Sequence, residues 1–293
     1  MIHFFVMAHQ NVRQALNLCS HLKRSGNDVM LHLDERVPFR KRMHAWVYVA
    51  SRGINWFTPR PVFWAGWSQV QLQLEAIMQA LQMRNNWTHF CALSGQCCPI
   101  KPIGELNLFL SQGQEESFMQ IESVNEHAKE LGWRNPITQE YDWKFRVEHA
   151  FDETGRIGTK VYNRENSPTF EKSKPRVPWI NQHSVYGGSN WMALSRNHCE
   201  FLTNSENAIQ LGKDLTFALH SDEIFFQTAL GNSEFADSIV NRCLWEIDWI
   251  RGSPYEWQFG DFGQLLSSDA YFARKFSPDS SKAWLGQLMD DKR

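Results

Sequence analysis

The sequence predicts an α/β protein with a largely parallel sheet covered by helices on both faces. Three observations carry that reading. Continuous apolar runs of strand length alternate with stretches of helical period, the chain opens as a strand–helix–strand unit, and the same pattern recurs before residue 95.

The first strand is expected in "IHFFVMA" (2–8). Residues 11–24 then place Val12, Ala15, Leu16, Cys19 and Leu22 at helical spacing, and "DVMLHLD" (28–34) returns to strand character. A second round follows: strand-like "INWF" (54–57), a helix from Ser68 burying Val70, Leu74, Ile77, Met78 and Leu81, and strand-like "THFCALS" (88–94). From 111 to about 179 the regularity falls away, and "NRENSPTFEKSKPRVP" reads as a long polar surface loop. Order returns in "SVYGGSNWMALSRNHCEFL" (184–202), a glycine turn, a short strand and a helix capped at Ser195. "HSDEIFFQTAL" (220–230), strand-like "CLWEIDWI" (243–250) and "FGQLLSSDAYFARKF" (262–276) complete the chain, with no internal repeat.

Composition narrows the function classes. The 293 residues are 42% hydrophobic, enough for a substantial core. A net charge of −2 with scattered Lys and Arg gives no electrostatic footprint for nucleic acid. None of the six cysteines lies in a C-x-x-C spacing, which predicts reduced structural thiols; adjacent Cys97 and Cys98 could bridge only with strain. The apolar N-terminus is broken by His3 and His9 well short of the roughly 20 residues of a membrane span. Thirteen Trp and twenty Phe are chiefly core material, including Trp245, Trp249 and Trp284, although exposed rings also stack on sugars.

Candidate chemistry is concentrated at strand ends, where ligands of open α/β sheets bind. Asp34 ends the second strand and either meets a nucleotide or caps the loop after it. Ser221 is a favoured N-cap with Asp222 and Glu223 in the following turn, so helix initiation and catalysis both explain those acids. Arg274 and Lys275 are set between Phe272 and Phe276, and Arg251 follows Trp249. There is no H-E-x-x-H, H-x-H, G-x-S-x-G, Walker A or G-x-G-x-x-G motif. Nor is there a D-x-D; Glu246-Ile-Asp248 is the nearest approach. Without that motif, sugar transfer from a diphosphate needs protein cations to meet the leaving-group charge.

Seven stretches in order, "VMAHQN", "VMLHLD", "VFWAGWSQVQLQL", "WTHFCALSGQCCPI", "YGGSNWMALSR", "SDEIFFQTALGNS" and "SSDAYFARKF", resemble the core-2/I-branching β-1,6-N-acetylglucosaminyltransferase and protein O-xylosyltransferase family. The resemblance implies one GT-A-type domain over 1–293 with a Rossmann-like mixed sheet: a nucleotide-binding half to about 110, an acceptor-side segment at about 111–180 and a catalytic half from about 181. It implies an inverting transferase that uses a UDP-sugar, with GlcNAc or xylose as the sugar, a glycan or other hydroxyl as acceptor, and neither metal nor cofactor. The family pattern assigns the general base to Glu223 and the diphosphate to Arg274, Lys275 and Arg251. It assigns the nucleotide base to Asp34 and sets Asn190 at an acceptor-side position; in that light Trp64, at a strand end, can border the donor pocket, Gly188 lies in the acceptor-side turn, and Trp191 after it can stack on a sugar.

Two departures stand out. Asn190 occupies an Asp position of the xylosyltransferase branch, and Cys97-Cys98 replaces the Asp-Tyr of L-S-x-x-D-Y-P. The second motivates an alternative, a glycan-binding protein on a degenerate transferase scaffold. A glycoside hydrolase ranks lower, because adjacent acids at a helix start do not flank a bond. Animal members carry an N-terminal anchor and disulfides, so the resemblance places this chain in the bacterial cytoplasm or at the inner face of the membrane, without a transmembrane segment.

Overall fold

The computed structural model describes residues 1–83, 85–124, 182–216, 218, 220–252 and 254–290. The polar loop expected at 163–178, and most of the acceptor-side segment, lie outside the described residues.

The first half contains β1 (Ile2–Ala8), α1 (Val12–Arg24), β2 (Asp28–Leu33), α2 (Phe39–Ala50), β3 (Asn55–Phe57), α3 (Trp67–Gln82), β4 (His89–Ser94), β5 (Cys98–Pro99), α4 (Ile103–Gln112), β6 (Ser117–Met119) and β7 (Glu122–Ser123). The second contains β8 (Tyr186–Gly187), β9 (Ala193–Ser195), α5 (Arg196–Asn204), α6 (Glu206–Leu215), α7 (Phe225–Gly231), β10 (Ile239–Asn241), β11 (Trp245–Ile247), α8 (Phe262–Leu266), β12 (Phe272–Arg274) and α9 (Pro278–Asp290).

Seven strands form the main sheet in the order β10-β6-β9-β4-β1-β2-β3. β1 is parallel to both β2 and β4, with Phe4 level with Val29 and Cys91. β9 enters antiparallel between β4 and β6, which makes the sheet mixed. The central strands bury both faces, which is why they read as unbroken apolar runs. Phe5, Met30, Phe90 and Ala92 join the core on the α3 side, while Phe4, Val6, Val29, Leu31 and Leu93 join the core that includes α1 residues. A small second sheet, β11-β12-β5, rests on a third core around Trp257, Phe276 and Trp284; the Trp284 indole donates to the Pro99 carbonyl at 2.7 Å.

The structure corrects several local expectations. The segment after Asp34 is not all loop, because residues from Phe39 to Ala50 form α2. Met78 turns outward at 42% exposure, and Trp249, expected in the core, is 62% exposed because β11 ends at Ile247. Ser221 caps no helix: Ser221–Glu223 is a 3-10 turn, and α7 starts only at Phe225. Ser195 does cap α5, its hydroxyl accepting from the His198 N–H. All six cysteines are free, five of them buried, in accord with structural thiols.

Candidate active site

The C-terminal edge of the parallel strands gathers four chain segments. β1 is followed by His9, whose pKa is pushed down first by desolvation and then by the Arg36 and Arg274 guanidinium groups, against Asp34. That single imidazole therefore feels the end of β2 and the end of β12 together. A buried Gln14 at the start of α1 clamps the latter, its amide donating to the Phe276 carbonyl at 3.0 Å.

Asp34 is buried and its carboxylate is fully engaged. One oxygen accepts from the Arg36 N–H and Nε at 2.8 and 2.7 Å, and the other accepts from Arg36 Nη2 and the Val62 N–H at 2.7 and 3.0 Å. These bonds hold its pKa below the ordinary value, against the opposing effect of burial, the largest single influence. Of the two roles open to Asp34, ordering the loop is the one its contacts display.

Opposite it, Ala65 and His220 both adopt left-handed backbone conformations, with φ of 62° and 54°, and the His220 N–H donates to the Ala65 carbonyl at 2.9 Å. Non-glycine residues in this region are uncommon, and such conformations cluster at ligand sites. The Trp64 ring, 60% exposed, stands edge-on to His220 at 5.0 Å. This pair presents the Ser221–Glu223 turn at the site's edge.

The turn from Gly187 to Trp191 then joins the proposed acid to the cations. The Gly188 N–H donates to the Glu223 carbonyl at 3.0 Å, and Asn190 Nδ2 donates to buried Asp222 at 2.8 Å. Gln227 Nε2 ties down the Ser189 carbonyl at 2.9 Å. Gly188 is required here by space, since a Cβ would lie 2.0 Å from the Gln120 carbonyl oxygen. Asp222 thus fixes the turn, while Glu223 remains partly exposed.

Trp191, expected to stack on a sugar, is only 6% exposed and carries the Arg274 guanidinium 4.4 Å from its ring centroid. Its other neighbour is Trp245, at 6.4 Å. The ring therefore seats Arg274 by cation–π contact. Arg274 Nε is buried with no hydrogen-bond partner, and neither Arg274 nor Lys275 forms a salt bridge among the described residues. Burial lowers the Arg274 pKa, opposed by the nearby Cys97. Burial likewise raises the Cys97 thiol, although Arg274 and Ser94 Oγ, 3.4 Å from its Sγ, act the other way. The thiol thus sits where a carboxylate would neutralise Arg274.

Arg251 contrasts with Arg274. Its guanidinium bonds both Asp248 and Asp261, the latter at 2.7 Å, and lies over Tyr255 at 4.0 Å. Paired with two carboxylates, it offers a diphosphate far less charge than its sequence position suggested. Glu246 accepts from Ser268 at 2.7 Å, so both acids of the nearest D-x-D approach are locally engaged. Among the described residues no three His, Cys, Asp or Glu side chains gather as metal ligands would.

His9, Arg36, His220 and Gln14 were missed by the sequence reading. His9 alone carried a usable signal, its place directly after a strand; the others depend on chain segments that meet only in the fold. Two clefts of about 610 Å³ lie elsewhere, one lined by Trp87 and Arg196, the other by Tyr48, Arg52 and Lys282. Neither is lined by a predicted site residue.

Comparison with known proteins places matches along nearly the whole chain. Residues 2–264 match the Branch family, described as core-2/I-branching enzyme. A xylosyltransferase of Ciona intestinalis is 25% identical over 244 residues, covering 77% of this chain and 26% of that protein. Xylosyltransferase 1 of Homo sapiens is 23% identical over 313 aligned residues, covering 98% of this chain and 30% of that protein. The chain therefore spans less than a third of the length of these relatives. Among solved structures, apo mouse xyloside xylosyltransferase 1 aligns with a TM-score of 0.41 and 13% identity, over 93% of this chain and 97% of that one.

Proposed function

We propose, since this chain belongs to the core-2/I-branching enzyme family, that it is an inverting glycosyltransferase moving a sugar from a UDP-sugar to a hydroxyl acceptor without a metal. The observation that carries the reading is Arg274, half-buried with a buried, unpartnered Nε and no paired carboxylate among the described residues, linked through Trp191 and the glycine turn to Glu223. A buried charge without a partner is costly, so such a group is retained where an anion completes it.

In this reading the acceptor hydroxyl gives its proton to the Glu223 carboxylate while its oxygen bonds the anomeric carbon. The bond from that carbon to the diphosphate oxygen breaks on the opposite side, and UDP leaves with the electron pair. Arg274 and Lys275 stabilise the charge that develops there, as preorganised cations in a water-poor site do. Asn190 and Gly188 hold the acceptor-side turn, Trp64 borders the donor, and Asp34 orders the loop below it. The relatives named xylosyltransferases support xylose as the donor sugar, ahead of GlcNAc.

A second reading, a glycan-binding protein without turnover, draws on Cys97 and Cys98, which remove a carboxylate beside the cations. One experiment separates them: UDP release from UDP-xylose and UDP-GlcNAc, with hydroxyl acceptors, in the presence of EDTA. Transfer is expected to survive chelation and to fall by at least about 10²-fold in Glu223→Gln while UDP affinity stays near wild type. Activity lost on chelation would reject the metal-free step. Turnover retained in Glu223→Gln would reject the base, and UDP binding without any turnover would favour the second reading.

A further inference from the structure

From Arg36 to Leu74 the chain has no Asp or Glu, although Arg36, Arg40, Lys41, Arg42, Arg52 and Arg60 all fall within that span. In the fold Arg36 pairs with Asp34 and Arg60 with Glu75, so the charge of this block at α2 comes from Arg40, Lys41 and Arg42, in a chain of net charge −2. The helix α2 lies inside it and buries only Ala45 and Val49. Its outer surface is apolar: Phe39 is 66% exposed, Met43 40%, Trp46 47% and Val47 56%. At about 100° per residue these four share an arc of about 100°. Arg40 falls at one border of the arc and Arg42 at the other, the Arg42 guanidinium reaching over the Phe39 ring at 5.9 Å.

A contiguous exposed apolar patch with a charged border marks a contact surface. Its chemistry specifies the partner. Aromatic and aliphatic side chains bounded by Arg40 and Arg42, with no Asp or Glu in the helix itself, match the requirements of a helix that lies in the headgroup layer of an anionic bilayer. A second copy of the chain is a poorer complement, because two such faces would bring like charges together.

We propose that α2 seats this protein on an anionic phospholipid surface, with Phe39, Met43, Trp46 and Val47 entering the acyl boundary and Arg40 and Arg42, at the borders of that arc, meeting lipid phosphates. The helix is about 18 Å long and lies on the surface; among the described residues no helix is long and apolar enough to cross a membrane. The segment that precedes α2 is tied to the chain that leads to the candidate site: the Glu35 N–H donates to the Arg60 carbonyl at 3.2 Å, and Arg36 lies over Phe63 at 5.2 Å, one residue before Trp64.

The test is co-sedimentation of the full chain with vesicles of phosphatidylcholine alone or mixed with phosphatidylglycerol, at low and high salt. Binding is expected only to the mixed vesicles and is weakened by salt. Arg40→Ala should lower partitioning about fivefold, and Phe39→Ser with Trp46→Ser should abolish it. These side chains are exposed, so both variants should keep the wild-type melting temperature. Equal binding to neutral vesicles, no binding to either kind, or unchanged binding in either variant would overturn the proposal. So would self-association lost in the Phe39→Ser/Trp46→Ser variant, which would assign the face to a second copy.

Discussion

At the scale of single residues, two arginines with similar sequence surroundings have opposite electrostatic fates. Arg251 is met by Asp248 and Asp261, whereas Arg274 meets an indole face and a thiol. Isothermal titration with UDP should therefore separate them: Arg274→Ala is expected to weaken binding by at least about 10-fold, the loss of one charge-assisted contact, while Arg251→Ala leaves affinity near wild type. A comparable loss in both would return Arg251 to the diphosphate site. The sequence displayed both cations but not their partners, because Cys97 and Trp191 reach Arg274 only through the fold. Trp249 was misread for a related reason. A Trp beside a strand-like run looks like core, yet Asp248 accepts from the Ile250 and Arg251 N–H groups and turns the chain outward.

At the scale of elements, legibility followed the way each segment is buried. The βαβ opening, α3 and the Ser195-capped helix were readable because one face or both are apolar with a regular period. α2 escaped because its apolar side chains face outward and its two inward residues, Ala45 and Val49, carry almost no periodic signal. The turn at Ser221–Glu223 escaped because a left-handed His220 is set by its bond to Ala65, more than 150 positions earlier in the chain. The glycine turn was legible as a turn, but its bridging role was not. Gly188→Ala should lower the urea midpoint, with a loss of unfolding free energy of about 1–3 kcal/mol, the usual cost of forcing an added methyl into filled space, and should lower turnover further by displacing the Glu223 backbone. An unchanged midpoint would show that Gln120 yields without cost.

At the scale of the whole molecule, the main sheet carries three buried imidazoles, His3, His32 and His89, each pushed down to about 4, chiefly by burial. In the unfolded chain they take up protons near 6.5; in the fold they resist until about 4. Their contribution to stability is thus complete above about 6.5 and is lost as the pH falls toward 4. Urea midpoints should drop across that window, and His3→Phe, which leaves the ring's stacking on Phe90 possible, should flatten the slope. A slope unchanged in that variant would remove His3 from the account. The Gln14–Phe276 clamp joins positions 262 apart in the chain, whereas β1, β2 and β4 pair within the first hundred residues. Contacts so distant form slowly compared with local ones. The proposed anion pocket is expected to mature after the sheet that supports it, so pulse-labelled amides of β1 and β4 should gain protection before those of 272–276. A folding intermediate that has paired β1, β2 and β4 but has not docked 272–276 would carry most of the scaffold and no grip on the proposed diphosphate, which makes ligand binding a reporter of that last docking step.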